Sequence, residues 1–417
     1  MDSQIDTEKQ YNVMHDDNEL TTYSSVYRSY SLLDPIRRWL YHSAWPGLGL
    51  FGESYLLFSI GTLRPIWEIL FPNCFSYEEC PRGLINSLTY SVVLGIITGM
   101  VVVGYLANSI GRRRGSIMTA SLMASGALVL LFICIFLIDS PIRLYSSMTV
   151  TLFIFGIGVG GEYPLSAASA SEKAMQHQLL REKLSGNSQI EKDSQAFQSL
   201  DQTTRGRAIQ LVFTMQGVGI WCNCLTILTL LFITGQTGND QNEYNHDMLI
   251  LIWRITYLIG TLVLSFLLIT RCIYLKESEV WAHDKQQQKQ VVNQREAISD
   301  EQKSNIYSSI EFGKDLRNSP IWLLLSTYGM RLFGASSLWL LWDVTFYGNK
   351  LFQSSFLLAV MGEDISLYGF ASAATMNATA ALLGYFGAAL LIDNQNVGRL
   401  RLQVFGLFIT GNTNTIF

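Results

Sequence analysis

Charged side chains are scarce in this sequence: 15% of its 417 residues are Asp, Glu, Lys or Arg, while 49% are hydrophobic. A soluble globular chain carries roughly 25% charged residues, so the deficit points to lipid rather than water as solvent. Also missing are a metal-ligand cluster, a nucleophile elbow and a phosphate-binding loop, and with them any sign of an enzyme, a metal site or a cofactor. Residues 1–35 are polar and acidic without an apolar core segment, so no cleavable signal peptide is expected. The net charge of -4 gives no sign of a nucleic-acid partner, and no signal of oligomeric state is present.

The apolar residues stand in blocks of the ~20 residues that a helix needs to cross the hydrocarbon of a bilayer. Nine blocks qualify, at 42–62, 84–107, 115–138, 144–168, 207–234, 248–274, 320–347, 366–392 and 400–417. The fold class that follows is an all-α polytopic membrane protein. Basic residues orient it. Only Arg64, Arg82, Arg143 and Lys350 fall in the loops after spans one, three and seven, and the loop after span five has none. Nearly all the rest lie in the N-terminal tail, the run Arg112 to Arg114, the loops 169–206 and 275–319, and the pair Arg399 and Arg401. By the positive-inside rule these segments face the cytoplasm, as does the N-terminus. Cys134, Cys222, Cys224 and Cys272 lie within spans, where a thiol packs as a small hydrophobe. Cys74 and Cys80 share the first external loop, where an oxidising compartment permits a bridge. The sequon at Asn377 lies inside a span and is read as chance.

The organisation suggests four segments: a cytoplasmic tail at 1–38, a six-helix bundle at 39–274, a cytoplasmic linker at 275–319 and a partial second bundle at 320–417. The linker is too charged and Gln-rich to pack as core. GYLANSIGRRRG after span two and ALLIDNQNVGRLR after span eight share a turn with Asn or Asp followed by Gly-Arg-x-Arg. Recurrence of such a turn suits a carrier built from structural repeats.

The most informative residues are polar groups inside spans. An ionisable group near the bilayer centre costs about 2.5–3.5 kcal/mol even on lenient scales, so it faces a bundle interior or a wet cavity. Glu53, Glu162 and Asp343 are such groups, as are Arg254 and Arg331, for which structural pairing with a helix end or headgroup is the simpler reading. A carboxyl group shielded from water holds its proton toward neutral pH and can carry one. In FGIGVGGEYPLSAASASE, glycines allow close helix approach and Pro164 removes a backbone hydrogen bond beside Glu162, predicting a locally broken helix. In WLLWDVTFYG, Trp339 and Asp343 are four apart on one face, with Tyr347 a turn further. Gln216 is a polar amide in an otherwise apolar stretch.

These pieces resemble the major facilitator superfamily and, within it, the phosphate:proton symporters, from about residue 40 onward. GGEYPLSAASASE and WLLWDVTFYGNKLFQ carry most of the likeness, supported by RGRAIQLVFTMQGVG, FGESYLLF and GYLANSIGRRR. The resemblance implies a major facilitator fold, with a six-helix N-terminal bundle and about three helices of a second. It implies proton coupling at Glu53 and Glu162, with Asp343 sensing both proton and anion. It further implies a substrate pocket of Tyr163, Gln216, Trp339 and Asp343, to which the shared face adds Tyr347, and a cytoplasmic gating loop at Asn108, Gly111 and Arg112. Four positions depart from the family pattern: both relay acids, Glu53 and Glu162, are Glu where Asp is usual, Leu56 replaces a second acid, and Asn108 replaces an Asp.

The expected function is therefore secondary transport across a lipid bilayer, the plasma membrane by resemblance, with phosphate and protons as the favoured partners. The departures keep open another small anionic solute, such as an organophosphate or carboxylate. A receptor-like or truncated, non-transporting product is the reading from another class. Because the family has twelve helices and the ninth apolar block turns polar at Gly411, the sequence is expected to be C-terminally incomplete.

Overall fold

The structure is a computed structural model; it describes residues 47–185, 194–238, 244–278, 281–282, 285–286, 320–362, 365–393 and 397–413. The helices are α1 (Leu48–Leu57), α2 (Ser59–Leu70), a single turn α3 (Pro72–Phe75), α4 (Arg82–Ile110), α5 (Arg112–Phe136), α6 (Pro141–Ser185), α7 (Ser194–Ile233), α8 (His246–Tyr274), α9 (Pro320–Leu351), α10 (Gln353–Met361), α11 (Leu367–Leu391) and α12 (Gly398–Thr413). No strand occurs among the described residues. Among the described residues, six helices are long and apolar enough to cross a membrane: α4, α5, α6, α7, α8 and α11.

Small residues set the closest approach in the bundle. An added methyl at Gly95 or Gly99 of α4 would strike the carbonyl of Phe153 or Ile157 on α6, and one at Gly156 or Gly160 would strike Val92 or Ile96 in return. Two backbones in contact at four glycines are the small-xxx-small packing expected where no hydrophobic force separates helix from lipid. Elsewhere side chains lock the contacts. Thr261 of α8 donates to the Ala127 carbonyl of α5 at 3.1 Å, and Trp221 of α7 donates to Thr379 of α11 at 3.0 Å. Trp67, Tyr145, Trp253 and Tyr257 form a buried aromatic cluster at one end of the bundle, next to the Cys74–Cys80 disulfide. Arg254 donates to the carbonyls of Cys134 and Ile135 at the end of α5, which is the helix-end role expected of it. Asn245 caps α8 and Ser366 caps α11 through backbone N–H groups of the first turn.

Several expectations change. Span one is two helices interrupted at Phe58. Ser59 donates to the Leu56 carbonyl at 2.6 Å, and such hydroxyl back-bonding bends helices. The break expected at Pro164 is absent, since α6 runs through that proline without interruption; the surrounding packing holds the helix across the missing bond. Most of 169–206 is helical rather than loop, because α6 extends to Ser185 and α7 begins at Ser194, as its Ala-, Glu-, Lys- and Gln-rich composition favours. Lys350 lies in the last turn of α9, buried, instead of in a loop. Span nine is the 16-residue α12. The tail at 1–38 and most of the linker at 275–319 lie outside the described residues. Both members of the proposed repeat place a glycine at positive φ ahead of an arginine, Gly111 at 91° and Gly398 at 66°, a conformation in which a Cβ is strained.

Candidate substrate and proton site

Glu162 comes from the middle of α6 and is fully buried. A carboxylate there requires donors, and the fold supplies them from three helices. Arg271 of α8 donates from Nη1 to Oε2 at 2.8 Å and pairs with Oε1 through Nη2. Thr119 of α5 donates to Oε2 at 3.0 Å and Ser166, one turn along α6, to Oε1 at 2.7 Å. Arg271 Nη1 also reaches the Ser116 carbonyl at 2.9 Å. The pair is therefore bidentate and satisfied on both sides, the arrangement a buried charge needs. Gly49 of α1 lies against it, and a methyl there would overlap both the carboxylate and the guanidinium.

Glu53, on α1, contrasts with it. Its side chain is fully buried, and neither carboxylate oxygen has a hydrogen-bond partner among the described residues. The Tyr163 phenol, Glu162 and Arg271 are the groups close enough to act on it electrostatically.

Tyr163 begins a chain of polar groups. Gln216 Nε2 of α7 donates to its hydroxyl at 2.6 Å, and that hydroxyl shares a 2.9 Å hydrogen bond with Tyr347 of α9. Phe213 stacks on Tyr163 and Phe58 on Tyr347, with ring centroids 6.0 Å apart in each case. Tyr385 of α11 packs on Gly217 and lies within electrostatic reach of both phenols. Glu53, Tyr163, Gln216 and Tyr347 are thus brought together from α1, α6, α7 and α9. Asp343, one turn before Tyr347, is half-buried beside the Trp339 side chain, whereas Trp339 itself is 53% exposed and stands apart from the phenol chain.

At the basic end of the bundle, Gly111 and Arg112 open α5. Glu277 Oε1 accepts from the backbone N–H groups of Arg112 at 2.7 Å and Arg113 at 3.1 Å, capping a helix start that has no side-chain cap of its own. Arg112 Nε pairs with Glu172 of α6 at 3.1 Å. The side chain of Asn108 is outside the described residues. Arg271, Glu277 and Tyr385 were not singled out by sequence reasoning. The available signal for Arg271 was a buried acid with no cation yet assigned to it.

An all-helical bundle with six membrane-crossing candidates and polar groups gathered inside it defines an integral, multi-pass membrane protein. Residues 69–190 match the family model described as "Sugar (and other) transporter". Relatives include probable inorganic phosphate transporter 1-9 of Arabidopsis thaliana, 25% identical over 87% of this chain and 66% of the relative. Probable inorganic phosphate transporter 1-8 of the same plant is 26% identical over 87% and 64%, and low affinity inorganic phosphate transporter 5 of Petunia hybrida 26% over 87% and 66%. Over residues 69–190 the chain is therefore similar to transporters of the major facilitator type, and along most of its length it resembles inorganic phosphate transporters. It spans slightly under two-thirds of the length of these relatives.

Proposed function

We propose that the chain is a secondary transporter that moves inorganic phosphate together with protons. The observation that carries the reading is a fully buried, unpartnered Glu53 beside a hydroxyl and amide chain, Gln216 to Tyr163 to Tyr347. Neutral donors bind a partly charged oxyanion without the excess positive charge that would prevent its release. An acid without partners takes up a proton more readily than one held by an arginine. In this reading Glu53 carries the transported proton. Glu162, held by Arg271, acts with it, its own protonation weakening the grip on α8. Asp343 senses both proton and anion, and Trp339 lines the pocket as it opens. The two parts of the chain, 39–274 and 320–417, rock around the site, and Gly111, Arg112 and the Asn108 turn gate it from the cytoplasmic side. The tail 1–38 and linker 275–319 face the cytoplasm, and the plasma membrane is the expected location.

Glu in place of Asp at positions 53 and 162 favours a second reading, in which the reach of the longer acids suits a different small anion, an organophosphate or a carboxylate. Uptake of labelled phosphate into vesicles, with and without an imposed pH gradient, separates these. Accumulation should require the gradient, and Glu53→Gln should abolish it while leaving exchange. Uptake indifferent to phosphate and to pH overturns the proposal. Labelling of a single Cys introduced into the linker from outside intact cells would overturn the orientation.

A further inference from the structure

A second set of polar groups lies along the chain from the phenols, where α2, α7, α9 and α10 meet. Lys350 is one turn past Tyr347 on α9 and 8% exposed, and no carboxylate pairs with it among the described residues. Its neighbours are also short of partners. Asn223 of α7 accepts from Thr62 of α2 at 2.8 Å through Oδ1, which turns its Nδ2 donor away, buried and unpartnered. Gln353 Nε2 and Ser354 Oγ, which open α10 three and four residues after Lys350, are buried and unpartnered as well. The groups share a locality. Gly61, next to Thr62, packs directly on the Lys350 carbonyl, and the Lys350 ammonium is within electrostatic range of Cys224, next to Asn223.

Buried donors without acceptors are costly, each forfeiting the water it had in the unfolded chain. A buried ammonium without an anion is costlier still. Two amides and a hydroxyl that are buried without partners, beside a lysine that no carboxylate pairs among the described residues, make a set that a single tetrahedral or planar oxyanion can satisfy. A packing role alone leaves four groups to be explained separately. The ammonium charge speaks against a cation site.

We propose that Lys350, Asn223, Gln353 and Ser354 form an oxyanion-binding site, distinct from the phenol chain and one helical turn beyond it, where the transported anion is held on its way to the central site. As a station on a transport path it rests on the phosphate-transport reading; as a binding site for an oxyanion it stands on its own geometry. By the orientation proposed above it lies on the outer side, since α9 runs outward from the linker. A cation at the entrance raises the local anion concentration, while the neutral phenol and amide chain deeper in allows release.

The test is equilibrium binding of labelled inorganic phosphate to the purified full chain in detergent, with sulfate and succinate as competitors, alongside vesicle uptake. Removing one charged donor from a buried oxyanion site weakens binding by about tenfold or more. Lys350→Met should therefore lower phosphate affinity about tenfold and raise the external KM by a similar factor with kcat nearly unchanged, while Lys350→Arg restores both. Sulfate should compete if the site reads a tetrahedral oxyanion, and succinate alone competing reassigns it to a carboxylate. Should Lys350→Met fail to fold, Gln353→Leu is read in its place, with about a fivefold loss. Binding equal to wild type in a folded Lys350→Met or Gln353→Leu protein overturns the site. If wild-type vesicles take up no phosphate, the transport reading fails, and the binding comparison still decides the site by itself.

Discussion

In α5, Ala120, Met123, Ala127, Leu130 and Cys134 are buried against neighbouring helices, whereas in α9 Trp322, Leu325, Met330, Phe333 and Leu340 are open and, among its described side chains, burial is reached only at Tyr347, Lys350 and Leu351. Helix α11 is intermediate: Phe370, Ala371, Ala374 and Ala378 line one buried face, and Met376, Leu383 and Leu390 lie on exposed ones. Helix α12 exposes Leu400, Val404, Phe405 and Phe408. The first region is packed on itself, with the buried Glu162 paired to Arg271 inside it. The second is organised against the first, along α7 and the α1–α2 break, and its remaining apolar faces suit hydrocarbon or further helices as neighbours. Substitutions should therefore be felt unequally in the two regions.

The largest difference is expected at Arg271. Arg271→Met strands Glu162 as a buried, unpaired carboxylate, and breaking one side of such a pair costs about 3–5 kcal/mol. A sharp loss of thermal stability in detergent should follow, and adding Glu162→Gln should recover most of it. If the single substitution is silent, the first region is not held by this pair. Gly49→Ala comes next, because its methyl has to displace the same ion pair; overpacking of this kind costs about 1–3 kcal/mol, read by the same thermal measurement.

Tyr163→Phe acts on the seam between the regions, removing the hydroxyl that Gln216 and Tyr347 share. It should raise the phosphate KM about fivefold, the worth of roughly 1 kcal/mol of hydrogen bonding, with little change in the amount of protein recovered. An unchanged KM removes the hydroxyl from the pocket. Smallest of all is Met330→Ala on the open face of α9, where a shift within about 0.5 kcal/mol is expected. A loss well above that would mean that this face is covered by something that the described helices do not supply.

Much of the architecture was legible because hydropathy reports length directly. The spans from 84–107 to 248–274 and the one at 366–392 correspond to helices that meet the membrane criterion. Hydropathy could not show the break at Phe58, since an interruption closed by a serine hydroxyl leaves no polar run. Nor could it show that Pro164 would be absorbed, which depends on what packs around α6. Within the site, Tyr163, Gln216 and Tyr347 were legible as polar groups in apolar surroundings, and the structure joins them. Arg271 escaped because it lies in the last turn of a span, where an arginine is ordinarily a flank residue, and its partner is 109 residues away. Periodicity places a residue on a face of its own helix and is silent about which helix that face meets.

The four glycines at which α4 touches α6 have a mechanical consequence. Two rods in contact along their backbones cannot slide or twist past each other without a carbonyl meeting a Cα, so they move as a single beam. That beam carries Glu172, clasped by Arg112, and Glu162 and Tyr163 about three turns away at the site. Any tug on the clasp at Arg112 is therefore delivered to the carboxylate and the phenol with little loss along the way. Cushioned by leucines in place of those glycines, the two helices would yield between the clasp and the site.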